Sequence, residues 1–267
     1  ARFAEMNFIV QGYPAYAYTG GREFDPKLPA VVFVHGAALD HSVWHYPARY
    51  LAHHGWNVLA IDLPGQGRST GKPPATVEAA ADTVLALLKA QGIDQAALIG
   101  HSFGSLIALE AAARAPAHVS HLVLAGTAFP MKVSPALLEN ALKAPEAAIQ
   151  MVNVFSHSTL CPPPSSLGPG TWTYGSNRAL MRRMLASNAE TNVFHAGFLA
   201  CDSYAGGVHA MAAVHCPTLF LIGKHDQMTP PKSARALAEH ARLGKIVDEV
   251  AKMLGVASEE VSAAATA

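Results

Sequence analysis

The chain has 267 residues, 51% hydrophobic and 14% charged, with 19 basic and 19 acidic side chains for a net charge of zero. That excludes a disordered chain, which combines low hydrophobicity with high net charge, and the scattered 21 glycines and 18 prolines exclude a collagen-like rod. No basic cluster exceeds Arg182-Arg183, which argues against nucleic acid as a partner, and no apolar run approaches the roughly 20 residues of a membrane span.

In chain order, residues 2–10 and 15–18 read as an antiparallel hairpin, and Arg2 and Glu5 interrupt any signal-peptide pattern there. Short runs rich in Val, Ile and Leu at 30–34, 58–61, 96–99, 119–124 and 218–222 read as strands. Helical stretches at 42–54, 77–90 and 103–115 alternate with them, as in a mostly parallel sheet with helices on both faces. From Phe129 to about Ala210 the rhythm breaks. Helical pieces at 135–142, 147–155 and 178–186 follow one another without a strand, and the Pro/Ser/Gly-rich stretch 161–170 interrupts them. The predicted organisation is a core of 1–128 and 211–267 with a helical insertion at 129–210. A helix over 231–242 and a last strand over 245–250 complete it.

Three well-separated cysteines, Cys161, Cys201 and Cys216, make no disulfide framework and suit a reducing compartment, so a cytoplasmic protein is expected. The 14 histidines form no zinc spacing, and His41 and His45 lack the Glu of H-E-x-x-H between them, so no metal is expected. Asp62 to Ser69 is no phosphate loop: G-x-G-x-x-G requires Gly at Thr70, and Gly67 to Lys72 is one residue short of a Walker A loop.

Gly100-His101-Ser102-Phe103-Gly104 fits G-x-S-x-G between a predicted strand and a predicted helix. A sharp turn there raises the Ser102 hydroxyl above the sheet, with the helix dipole aimed at the same place. The His35-Gly36-Ala37-Ala38 turn ends an earlier strand. The backbone N–H groups of Ala37 and Phe103 are candidates for a two-donor oxyanion hole, each donor worth about 2.7–4 kcal/mol in a transition state. His35 is read as holding its loop, not as transferring protons.

A His-Gly turn, D-x-P-G-x-G-x-S at Asp62 to Ser69, the G-x-S-x-G turn, a helical insertion and a strand ending near an Asp occur in that order. This arrangement resembles the α/β-hydrolase superfamily, most specifically over about residues 25–235. Leu39-Asp40-His41-Ser42-Val43-Trp44 resembles the small esterase and enol-lactonase-like branch. The resemblance implies that Ser102 is the nucleophile and that Asp226, after 218–222, is the acid that orients a base. It implies hydrolysis of a small to medium apolar carboxylic ester without a cofactor. A perhydrolase or carbon–carbon hydrolase uses the same machinery. Ser rather than Asp at position 102 argues against the haloalkane dehalogenase and epoxide hydrolase branches.

The family then requires a His after the last strand, and the sequence departs there. His240 is the only histidine after Asp226, and it falls in a helix expected to leave the strand ends. Lys252 stands in Ala251-Lys252-Met253, where a Gly-His pair belongs. Four readings compete: an imperfection of the sequence over 250–253, Lys252 as a surrogate base, a His of the insertion (His157, His195 or His209), or a ligand-binding protein on a disabled hydrolase fold. The first is preferred because the other parts stand together. The large apolar insertion residues Met151, Phe155, Trp172, Phe194 and Phe198 are candidates for core or acyl site.

Overall fold

A computed structural model of the protein describes residues 5–156, 173–242 and 244–247. The hairpin is present as β1 (Glu5–Val10) and β2 (Tyr13–Tyr18), joined at Gln11-Gly12 with positive φ at both residues (51° and 86°). That backbone twist matches the right-handed twist of the flanking strands.

Six further strands follow: β3 (Ala30–Val34), β4 (Asn57–Ile61), β5 (Ala96–His101), β6 (Val119–Ala125), β7 (Thr218–Leu221) and β8 (Gly244–Val247). They join the hairpin in one eight-stranded sheet of order β1-β2-β4-β3-β5-β6-β7-β8. All pairs from β4 to β8 are parallel, whereas β1–β2 and β2–β4 are antiparallel. Every residue of β3 and β4 is buried, because helices cover both faces of a parallel sheet. The predicted last strand, 245–250, is β8; its expected residues 248–250 lie outside the described ones.

Three helices connect the first parallel strands: α1 (His45–Ala52), α2 (Val77–Ala90) and α3 (Phe103–Arg114). The single helix expected over 42–54 instead opens with a 3₁₀ turn, 41–44. Asp40 caps that turn by accepting from the Ser42 N–H at 2.9 Å. Helix α3 passes through the centre of the core, burying Phe103, Leu106, Ile107 and Leu109.

Between β6 and β7 lie α4 (Pro135–Lys143), α5 (Pro145–Ser156), α6 (Thr173–Ala186), α7 (Val193–Ser203) and α8 (Gly207–Ala213). The last two were not expected. Helix α7 buries a broad face, Val193, Phe194, Gly197, Phe198, Ala200 and Cys201, and leaves Leu199 exposed, so its apolar residues show little helical period. Phe194 and Phe198 join Leu137, Ile149, Val152 and Met181 in an outer apolar cluster, while Ala200, Cys201 and Tyr204 join the main core. The boundary expected at 210/211 runs through α8, whose Ala210 and Met211 pack in the main core.

Polar ties hold these helices over the sheet. Arg183 on α6 bonds the buried Asp40 at 2.6 Å. Asn188 donates to the Gly65 carbonyl at 3.0 Å, and the Val133 N–H donates to Asp202 at 3.0 Å. Helix α9 (Pro231–Ala238) is shorter than the expected 231–242 and connects β7 to β8. Among the described residues no helix is long and apolar enough to cross a membrane.

Candidate active site

Ser102 follows the last residue of β5 and caps α3 with φ 52° and ψ −119°. Its N–H donates to the Ala125 carbonyl at 2.9 Å, and its own carbonyl accepts from the Ser105 N–H at 2.8 Å and the Ser105 hydroxyl at 2.6 Å. A non-glycine residue with positive φ is strained. The neighbouring glycines are required by contact: a Cβ on Gly100 would collide with the Gly104 carbonyl, and one on Gly104 with the Val34 carbonyl. G-x-S-x-G is therefore the residue pattern that permits strand, turn and helix to pack this closely.

The β3 loop approaches from one side. Ala37 lines the cavity at Ser102, and the next residue, Ala38, is buried with φ 60°. Two of the three described non-glycine residues with positive φ, Ala38 and Ser102, thus belong to the two loops at this cavity, Ala38 between the lining residues Ala37 and Leu39. Phe103 is the first residue of α3, where helical geometry leaves the N–H without an intrahelical acceptor. His35 is fully buried beneath the loop. Its Nδ1 lies 2.9 Å from the Gly36 carbonyl, and its Nε2 accepts from the Leu63 N–H at 3.2 Å. That pairing makes Nδ1 the protonated nitrogen of a neutral ring, and burial pushes the His35 pKa below its ordinary 6.5 against the charge of Asp62. Both nitrogens serve structure, tying the β3 loop to the β4 loop.

Asp226 stands in the loop after β7 and lines the same cavity. Its Oδ1 accepts from the Met228 and Thr229 N–H groups, and its Oδ2 from the Thr229 hydroxyl, each at 2.8 Å. The carboxylate is therefore held in one orientation. Thr229 was missed at the level of sequence, although Asp followed three residues later by Thr is a recognisable turn pattern.

His101 was also passed over, although it stands inside the quoted motif. Its ring lines the cavity and fits between two glycines: a Cβ on Gly36 would lie 3.0 Å from its Nδ1, and one on Gly126 3.5 Å from its Nε2. Burial pushes its pKa below 6.5, with the Asp226 charge acting in the opposite direction. The imidazole is thus neutral at pH 7. Of the other histidines considered as a base, His195 (α7), His209 (α8) and His240 (after α9) do not line this cavity. Because β7 and β8 are parallel, α9 must run back across the sheet, carrying His240 toward the opposite edge. His157, Trp172 and 250–253 with Lys252 lie outside the described residues.

The cavity has two lobes that meet at Ser102, Val152, Phe198, Met228 and Thr229. One, of about 340 Å³, is mainly apolar, walled by Met131, Val133, Leu137, Met151 and Phe155, with Lys132, Ser134 and Gln227 also at its border. The other, of about 260 Å³, is bordered by Ala37, His101, Ser156, Asn177 and Asp226. Phe194 is fully buried in the outer cluster instead.

A profile of the α/β-hydrolase fold matches residues 29–249. A pimeloyl-[acyl-carrier protein] methyl ester esterase of Neisseria meningitidis is 29% identical over 72% of this chain and 73% of its own length. The lipase LipV of Mycobacterium tuberculosis is 37% identical over a shorter stretch, 39% of each chain. Among solved structures, the enol-lactonase of Burkholderia xenovorans superposes with a TM-score of 0.77 at 20% identity, covering 91% of this chain and 90% of that one. That likeness shows a common fold. With the profile spanning β3 to β8, the Ser102 turn and the Asp226 loop alike, the chain belongs to the α/β-hydrolase family.

Proposed function

We propose that the protein is a serine hydrolase that cleaves carboxylic esters through an acyl-enzyme on Ser102. The observation that carries this reading is the strained backbone of Ser102, which faces a two-lobed cavity that it shares with Ala37 and Asp226. The Ser102 Oγ attacks the ester carbonyl. The Ala37 and Phe103 N–H groups hold the oxyanion, and Asp226 orients the base that takes the proton and returns it to the leaving alcohol. Helices α4 to α7 form a cap, within the 129–210 insertion, that selects the substrate. The esterase and lipase relatives support the ester class.

The test is labelling with a fluorophosphonate, followed by mass spectrometry of the intact protein. A single adduct is expected, absent in Ser102→Ala, with Ser102-dependent hydrolysis of a p-nitrophenyl ester. Saturable ester binding with neither adduct nor turnover would establish a binding protein on a disabled hydrolase fold.

A further inference from the structure

One side chain of the cap has its hydrogen-bonding polarity dictated from behind. The Tyr174 carbonyl can only accept, so the amide nitrogen of the fully buried Asn153 faces it, at 3.1 Å. The Asn153 Oδ1, the other branch of that amide, accepts from the Asn177 Nδ2 at 2.8 Å. With its nitrogen committed, Asn177 keeps its Oδ1 as the remaining branch, and among the described residues that oxygen has no hydrogen-bond partner. Asn177 borders the polar lobe and not the apolar one. Glu146 on α5 steadies the same stretch of α6 through ion pairs with Arg178 and Arg182.

Proton bookkeeping assigns the lobes. In ester cleavage the Ser102 Oγ–acyl bond forms as the acyl–alkoxide bond breaks. The proton taken from Ser102 is delivered to the departing oxygen by the base that Asp226 orients. The alcohol half must therefore lie on the Asp226 side, which is the polar lobe, and the acyl chain takes the apolar lobe. Water then releases the acid. We infer that the alcohol half carries a second hydroxyl group, which donates to the Asn177 Oδ1, so that the substrate class is the monoester of an apolar acid with a diol or polyol. This rests on the serine-hydrolase reading for the assignment of lobes. A plain alkyl alcohol of the same shape leaves the amide oxygen unpaired when it displaces water from the lobe.

The experiment compares isosteric esters: 2-hydroxyethyl against propyl hexanoate, and 3-hydroxypropyl against butyl hexanoate. Titration calorimetry on Ser102→Ala reads binding without turnover. The hydroxylated member of at least one pair is expected to bind about tenfold more tightly, as one hydrogen bond supplies. Asn177→Leu in the same background should bring that ratio to about one, with binding of the alkyl ester retained. Equal affinities within both pairs, or a preference that survives Asn177→Leu, overturn the inference. Selective binding by Ser102→Ala, together with no adduct or turnover in the unsubstituted protein, would overturn the hydrolase reading and leave the hydroxyl-reading role of Asn177 standing.

Discussion

Ser102 shows how one residue's backbone can be held against its own preference. With φ 52° and ψ −119° it occupies a region that only glycine visits freely. The glycines at 100 and 104 make the turn possible, and the hydrogen bonds to Ala125 and Ser105 hold it. Ser102→Gly is therefore expected to be more stable than the unsubstituted protein by about 1 kcal/mol, and also more stable than Ser102→Ala. Urea unfolding checks the order. If Ser102→Gly proves the less stable, the strain is not there. His101 is legible in the motif as a letter but not as a cavity wall, because nothing local reports that Gly36 and Gly126 leave room for its ring.

At the scale of elements, the cap and core meet through unlike partners. Asp40 is 3% exposed and Arg183 59% exposed in their ion pair. Burial acts against the Asp40 charge, but hydrogen bonds from Ser42 and Arg183 outweigh it and hold the carboxyl below its ordinary range. Asp40→Ala removes a helix-turn cap worth about 0.5–2 kcal/mol, while Arg183→Ala removes an exposed partner worth about 1 kcal/mol or less. Asp40→Ala should therefore shift the urea midpoint more than Arg183→Ala, and equal shifts would show that the ion pair, not the cap, dominates. Strand β8 bears on the base. It pairs in parallel with β7, Leu221 opposite Val247, so the chain leaves β8 at the edge that carries Asp226. Replacing Lys252 with Gly-His, the pair the family resemblance places there, is expected to raise kcat by orders of magnitude, the amount that loss of a triad histidine costs. An unchanged kcat beside fast Ser102-dependent turnover would mean that the base stands elsewhere.

For the whole molecule, acid stability follows from two enclosed imidazoles. Burial lowers the pKa of His35 and His101 below 6.5 in the folded chain, so between pH 6.5 and those lowered values the unfolded chain binds more protons. Stability is then full above about pH 6.5 and falls as the pH drops through the lowered values, since stability rises with pH wherever the unfolded state holds more protons. Urea midpoints at several pH values on either side of 6.5 should show a plateau and then a decline. His35→Leu should be less stable at pH 8, by about 1–3 kcal/mol for the Leu63 N–H left unpaired, with a shallower acid decline. A decline as steep as in the unsubstituted protein would remove His35 from the account.

The sequence alone determined the alternation of strands and helices, the serine turn and the position of the Asp226 loop. Each is set by neighbours a few residues apart: apolar runs long enough for a strand buried on both faces, glycines where backbones nearly touch, an Asp just past a strand end. Tertiary structure decided what depends on distant partners. Helix α7 forms between the outer apolar cluster and the main core, and α8 packs Ala210 and Met211 onto the main core, circumstances no local period reports. Asn177 acquires a defined acceptor only through the buried Asn153 behind it, 24 residues away in the chain. The meeting of an apolar and a polar lobe at Ser102 exists because the sheet brings the ends of β3, β5 and β7 to one edge and the cap helices close over it.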